Sequence, residues 1–190
     1  MFCNRFFAEA SWPDHRPFRS SNMPDIEITI SDQQVHLSVE AQRLRDVVER
    51  VLFEEGISSA EISLALVDDA AIQRINRDFL GHDHPTDVIS FVLGSSSPDP
   101  QVRTSHPSTS APHFARHHLE GELVVSTETA VREAASHGWS AADELLLYVV
   151  HGLLHLCGYD DLTDEARPLM RGRERQVLAH WQLTPTGLEV

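Results

Sequence analysis

LLLYVVHGLLHLCGYDD, residues Leu145 to Asp161, is apolar enough to be a buried helix, yet it carries two histidines. His151 and His155 are four apart, about 40° around a helix axis, so both imidazoles leave one face a turn apart. That geometry chelates one metal ion. Gly158 suits a left-handed position just past the helix end, and the chain reversal it permits returns Asp160 or Asp161 toward the same ion. A site of two histidines and one carboxylate results, which leaves a fourth position for water and suits one zinc ion better than oxygen-loving magnesium. Cys157 lies about 200° around the helix from His155 and reads as a buried thiol, not a ligand.

The helix begins near Ala141, after the turn HGW at His137 to Trp139. Before it, GELVVS (Gly121 to Ser126) reads as a strand followed by a short helix from Thr127, and DVISFVL (Asp87 to Leu93) as another strand. Between these strands, residues 94–118 are rich in Ser, Pro and His without period, which predicts a mobile loop holding His106, His113, His117 and His118 in solvent. Upstream, ISLALV (Ile62 to Val67) is a strand, Asp68 or Asp69 caps a helix carrying Ile72, Ile75 and Phe79, and a polar turn GHDHPTD follows. DIEITI (Asp25 to Ile30) alternates like a half-buried strand. Ser38 then suits the N-cap of a helix with Leu44, Val47, Val48, Val51 and Leu52 on one face, closed by Gly56. A last helix spans about Thr163 to Trp181. Strands and helices mix without strict alternation, so the expected fold is α+β: a small mixed β-sheet with helices packed on it. One domain over residues 23–190 is expected, with residues 1–22 a flexible extension that shows no signal-peptide pattern.

Lys and Arg number 15 against 29 Asp and Glu, a net charge of −14 that excludes a general, charge-driven nucleic-acid binder while leaving room for a local basic groove. Two distant cysteines in a chain of 190 residues fit a reducing cytoplasm better than a disulfide scaffold. No apolar run reaches the ~20 residues of a membrane span.

The metal frame narrows the chemistry. Peptidase zincins place a Glu general base directly after the first histidine, where this chain has Gly152. The spacing still fits the frame HxxxHxxGxxH, with Asp161 at the third ligand. HGLLHLCGYDD resembles HGxLHLxGYDH, the signature of the YbeY family of metal-dependent endoribonucleases, at every specified place but the last, where Asp161 stands for His. HPTDVISF (His84 to Phe91) is similar to that family's KPTDVLSF segment, and GELVVS to its GDIVIS strand. The resemblance covers roughly the chain from Met23 onward. It implies a cytoplasmic zinc enzyme that cleaves single-stranded ribosomal RNA in small-subunit (16S) maturation and quality control, with the small ribosomal subunit and its assembly factors as partners and no membrane association.

The resemblance also carries Thr86, Asp87 and Ser90 over as cleft residues of catalytic standing, each with an ordinary turn-capping reading beside it. Glu122 stands where the family commonly has Asp and either faces the site or caps its strand. Glu144 and Tyr148 continue the histidine face and are positioned to orient His151, with packing the simpler reading for Tyr148. Two departures matter. Asp161 brings an anionic oxygen, which lowers the net charge of the site and makes a bound water less acidic. Leu80 occupies a place that the resemblance fills with Arg, so Arg74, Arg77 or another cation has to supply charge toward phosphate, or activity is altered. Two other classes fit the same residues: a metallopeptidase-like hydrolase using Glu122 or Glu144 as base, and a non-catalytic zinc-containing ribosome-assembly factor.

Overall fold

The computed structural model describes residues 25–96 and 118–185. The chain runs β1 (Asp25–Asp32), α1 (Ala41–Glu54), β2 (Ser59–Val67), α2 (Asp69–Ile75), a π-helical turn (Asn76–Leu80) and β3 (Val88–Ser96). Then follow β4 (His118–Ser126), α3 (Thr127–His137), α4 (Ala141–Leu156), α5 (Ala166–Leu178) and a 3-10 turn (Ala179–Trp181). The strands form one mixed sheet in the order β1-β2-β4-β3, with β1, β2 and β4 parallel and β3 antiparallel on the edge. The architecture is the expected α+β one. Among the described residues no helix is long and apolar enough to cross a membrane. The residue 1–22 extension, and His106, His113 and His117 with the centre of the expected loop, lie outside the described residues.

Period-two alternation divides the sheet into two unlike faces. Ala60, Ile62, Leu64 and Leu66 of β2 and Leu119, Leu123 and Val125 of β4 point to one side, where they form a single core with α1, α4 and α5. The other side carries a smaller cluster of Val67, Ile72, Ile89 and Val124 under α2, and beyond it Glu61, Glu120 and Glu122. Apolar residues surround α4 almost completely, as a helix wedged between sheet and helices requires. Gly152 lets α4 approach the sheet closely. A Cβ there would stand 2.9 Å from both Leu123 Cδ2 and Val88 Cγ2, so only glycine fits without repacking.

Several local expectations change. Gly94–Ser96 and His118 are not loop: they extend β3 and β4, which pair as far as Ser96 opposite His118. His118 is thereby ordered, with Nδ1 2.9 Å from Ser59 Oγ and Nε2 3.2 Å from Glu120 Oε1. Ser38 does not cap α1. Leu37 and Val39 pack against the core, holding the chain extended as far as Glu40, which takes the N-cap position without a side-chain bond. Phe79, expected on the buried side of α2, is 71% exposed, because the π-helical turn shifts the register after Ile75 and leaves Phe79 edge-on to Phe91 at 5.5 Å. Asp68 caps α2 through the Ala71 N–H at 2.7 Å. Asp69 turns instead to α3, accepting from Ser126, Thr129 and Arg132 at 2.5–2.6 Å. Burial pushes the Asp69 carboxyl up, but those three donors and the Arg132 charge outweigh it and hold its pKa below the usual range.

Candidate metal centre

Helix α4 delivers both histidines and stops just past them. Gly158, at φ 97°, closes it with paired capping bonds: Gly158 N–H to His155 O at 2.9 Å and Tyr159 N–H to Leu154 O at 3.0 Å. The chain then doubles back. Asp160 turns its carboxylate onto the N–H groups of Asp161 and Leu162, so Asp161, not Asp160, faces the histidines. Arg167 at the start of α5 donates through Nε to the Asp161 carbonyl at 3.2 Å, fixing the returning strand of chain.

Three ligand atoms converge. His151 Nε2 and His155 Nε2 are 3.1 Å apart, with Asp161 oxygens 3.9 Å from the first and 3.7 Å from the second. Tetrahedral zinc with bonds near 2.0–2.1 Å spaces its ligands by roughly 3.3 Å, so the triad is sized for one such ion. The donor chemistry fits as well. His151 Nδ1 lies 2.7 Å from Glu174 Oε1, and His155 Nδ1 lies 3.1 Å from the Tyr159 carbonyl. With an acceptor at each Nδ1, the proton of each neutral ring resides there and both Nε2 lone pairs point at the shared space. Among the described residues three protein ligands meet, which leaves a coordination position open to water or substrate.

Each supporting contact is itself anchored. Glu174, on α5, is 0% exposed and takes both of its oxygens to Arg171 Nη1, at 3.0 and 3.2 Å. The buried Tyr159 ring donates its hydroxyl to Glu55 Oε2 at 3.2 Å, and Arg173 Nε donates to Glu55 Oε1 at 2.6 Å. Burial and the Glu55 charge push the Tyr159 hydroxyl up to about 12, keeping it a neutral donor. The carbonyl that orients His155 is thus pinned to α1. Glu174 escaped the sequence reading, although a signal exists: it interrupts the buried stripe Met170, Val177 and Leu178 of α5, and an acid in such a stripe needs a partner.

Thr86 donates to Asp87 Oδ1 at 2.8 Å, and the same oxygen accepts from the Val88 N–H at 2.9 Å, a strand-start cap. Ser90 donates to the Gly152 carbonyl at 3.1 Å, tying β3 to the first histidine's turn of α4. Glu122 pairs in register with Phe91, on the sheet face opposite Leu123 and α4, and is therefore not brought to the histidines. Glu144 is buried beside His137 Nδ1 at 3.0 Å, not beside His151. Burial of the Tyr148 hydroxyl, with the Glu144 charge beside it, pushes it well above its ordinary pKa. Cys157 is buried, as expected. Leu80 is exposed, and Arg77 is engaged with Asp78 at 3.0 Å.

A family model described as Endoribonuclease YbeY matches residues 27–182. A protein named Endoribonuclease YbeY from Moorella thermoacetica is 40% identical over 159 residues, covering 81% of this chain and 96% of that protein. One of the same name from Desulforamulus reducens is 36% identical over 155 residues, covering 80% and 94%. Among solved structures, the solution structure of TM1509 from Thermotoga maritima is 25% identical, covers 83% of this chain and 91% of that one, and has a TM-score of 0.49.

Proposed function

This chain belongs to the YbeY endoribonuclease family, and from that premise we propose that it is a zinc-dependent, single-strand-specific endoribonuclease acting in small-subunit ribosomal RNA maturation in the cytoplasm, with the ribosomal small subunit and its assembly factors as partners. The observation that carries the reading is the convergence of two Nε2 atoms at 3.1 Å and one carboxylate on one space, with an acceptor beside each Nδ1. His151, His155 and Asp161 would hold the ion. When bound, zinc supplies Lewis acidity to a phosphate oxygen and acidifies water at neutral pH.

The chain's own residues do the rest. Glu174 holds His151 in one tautomer and one orientation, and the Tyr159 carbonyl does the same for His155. Asp161, held through its backbone by Arg167, closes the third side. Thr86 and Asp87 cap the start of β3, and Ser90 of that strand bonds to the histidine-bearing helix; a catalytic role for these three rests on the family resemblance and, for Ser90, on that contact.

The geometry disfavours a peptidase. The place after His151 that a peptidase gives to its base is buried against Leu123 and Val88, with no room for a side chain. Neither Glu122, across the sheet, nor Glu144, buried with His137, reaches the histidines to replace it. The test is to load the full chain with zinc and assay it on single-stranded RNA and on casein. RNA cleavage that His155→Ala abolishes is expected. Casein hydrolysis alone, or a zinc-loaded protein inert on both, would refute the reading, and inertness with zinc retained would favour the assembly factor.

A further inference from the structure

We infer that Arg167 and Arg171 form an electrostatic anchor for the substrate, gripping successive phosphates of a single-stranded RNA and drawing it across the metal centre. The inference rests on the ribonuclease reading and adds to it the residues that bind the strand.

The two arginines are four apart at the start of α5, so their side chains leave the same face, about 6 Å apart along the axis. Both heads are tied to the metal triad itself. Arg167 Nε reaches the carbonyl of the ligand Asp161 at 3.2 Å, and Arg171 Nη1 reaches Glu174, whose Oε1 holds the ligand His151 at 2.7 Å. Yet neither is sealed in: their side chains remain 49% and 30% exposed. Among the described residues the contacts of Arg171 run through Nη1 alone, leaving Nη2 and Nε to donate outward. The remaining partner of Arg167 is Asp164 at 3.0 Å, an almost fully exposed carboxylate that a phosphate can displace at little cost.

Charge makes this pair matter. At a net charge of −14, and with Asp160, Asp161, Asp164 and Glu165 around the same turn, an approaching polyanion meets repulsion nearly everywhere. Structural needs explain only part of the arrangement. Glu174 needs one cation to be buried, which a single Nη1 satisfies, and Asp161 needs one donor on its carbonyl. What remains is two planar forks four residues apart on the exposed start of α5, one against the Asp161 turn and one behind Glu174, each able to offer a phosphate bidentate contacts.

The experiment is fluorescence anisotropy of a labelled short single-stranded RNA against zinc-loaded full chain over a range of salt, with steady-state cleavage in parallel. Each lost phosphate contact flattens the plot of log affinity against log salt by about 0.7 for a single strand. Arg167→Gln should flatten it by that amount and weaken binding roughly threefold to tenfold at low salt. Adding Arg171→Gln should double the flattening. KM should rise by more than kcat falls, both read at saturating zinc because Arg167 also braces the Asp161 backbone. Arg171→Gln disturbs the partner of a buried carboxylate, so Arg167→Gln alone decides the matter if the double variant folds poorly. Unchanged slope and KM in Arg167→Gln, with wild type cleaving RNA, would overturn the anchor and leave the ribonuclease reading intact. Zinc-loaded wild type that neither binds nor cleaves RNA would overturn both.

Discussion

Replacing Glu174 by Gln keeps the shape of the side chain and removes its charge, and the structure sets how much that should matter to the metal. Glu174 Oε1 lies 2.7 Å from His151 Nδ1, and an imidazole and a zinc–nitrogen bond beyond it place a divalent charge roughly 7 Å away. At an effective dielectric near 20, that attraction is about 4.7 kcal/mol. The Arg171 guanidinium, 3.0 Å beyond the carboxylate, is present in both proteins and so leaves the difference between them unchanged. The Coulomb figure is a ceiling, because a glutamine still accepts from the His151 Nδ1–H; a loss toward the upper end of the 10- to 100-fold range that follows removal of such supporting groups, about 2.8 kcal/mol, is expected. Competition between the protein and a chelating dye measures it directly. Glu174→Gln should bind zinc about a hundredfold more weakly, and Glu174→Ala, which also lets the ring turn, more weakly still. Equal affinity in wild type and both variants would show that His151 needs no orienting partner and that the buried carboxylate serves the core alone.

Gly152→Ala forces a Cβ to within 2.9 Å of Leu123 and Val88 and should cost about 1–3 kcal/mol in urea unfolding; no change would mean that α4 is less closely seated on the sheet than described. The depressed Asp69 pKa has a pH signature. Its contribution to stability is fully present above the ordinary carboxylate value near 3.8 and is lost as pH falls through its lower native value, so wild type should lose more stability than Asp69→Asn between about pH 4 and pH 2. Parallel acid-denaturation curves would contradict that. The raised Tyr159 pKa works in the opposite direction: its contribution is complete below pH 10 and is lost as pH rises toward about 12, so Tyr159→Phe should flatten the alkaline arm of the stability curve.

The central site was legible because its information is local. His151, His155, Gly158 and Asp161 lie within eleven residues, and helical geometry with one left-handed glycine suffices to bring them together. Glu174 lies 23 residues from the histidine it orients, and only the packing of α5 against α4 reveals the pair. Glu122 illustrates a different limit. A strand's two faces are evident from alternation, but which face meets α4 depends on register with β3, and register placed Glu122 beside Phe91 on the far side. Gly152 was legible as a missing base and illegible as a steric requirement, since the close approach of helix to sheet is a property of the assembled layers. Phe79 leaves the buried side for a backbone reason: the 3.6-residue period ends where the chain widens into a π-helical turn.

The most direct test of the account is X-ray absorption at the zinc edge on the full chain loaded with one equivalent of zinc. Two imidazole nitrogens and oxygen neighbours at about 2.0–2.1 Å, with one ion bound tightly per chain, are predicted for a centre built from His151, His155 and Asp161 with a position left to water. A sulfur neighbour near 2.3 Å, which would place Cys157 on the metal, or a shell closed by four protein ligands, would contradict an open centre able to act on RNA.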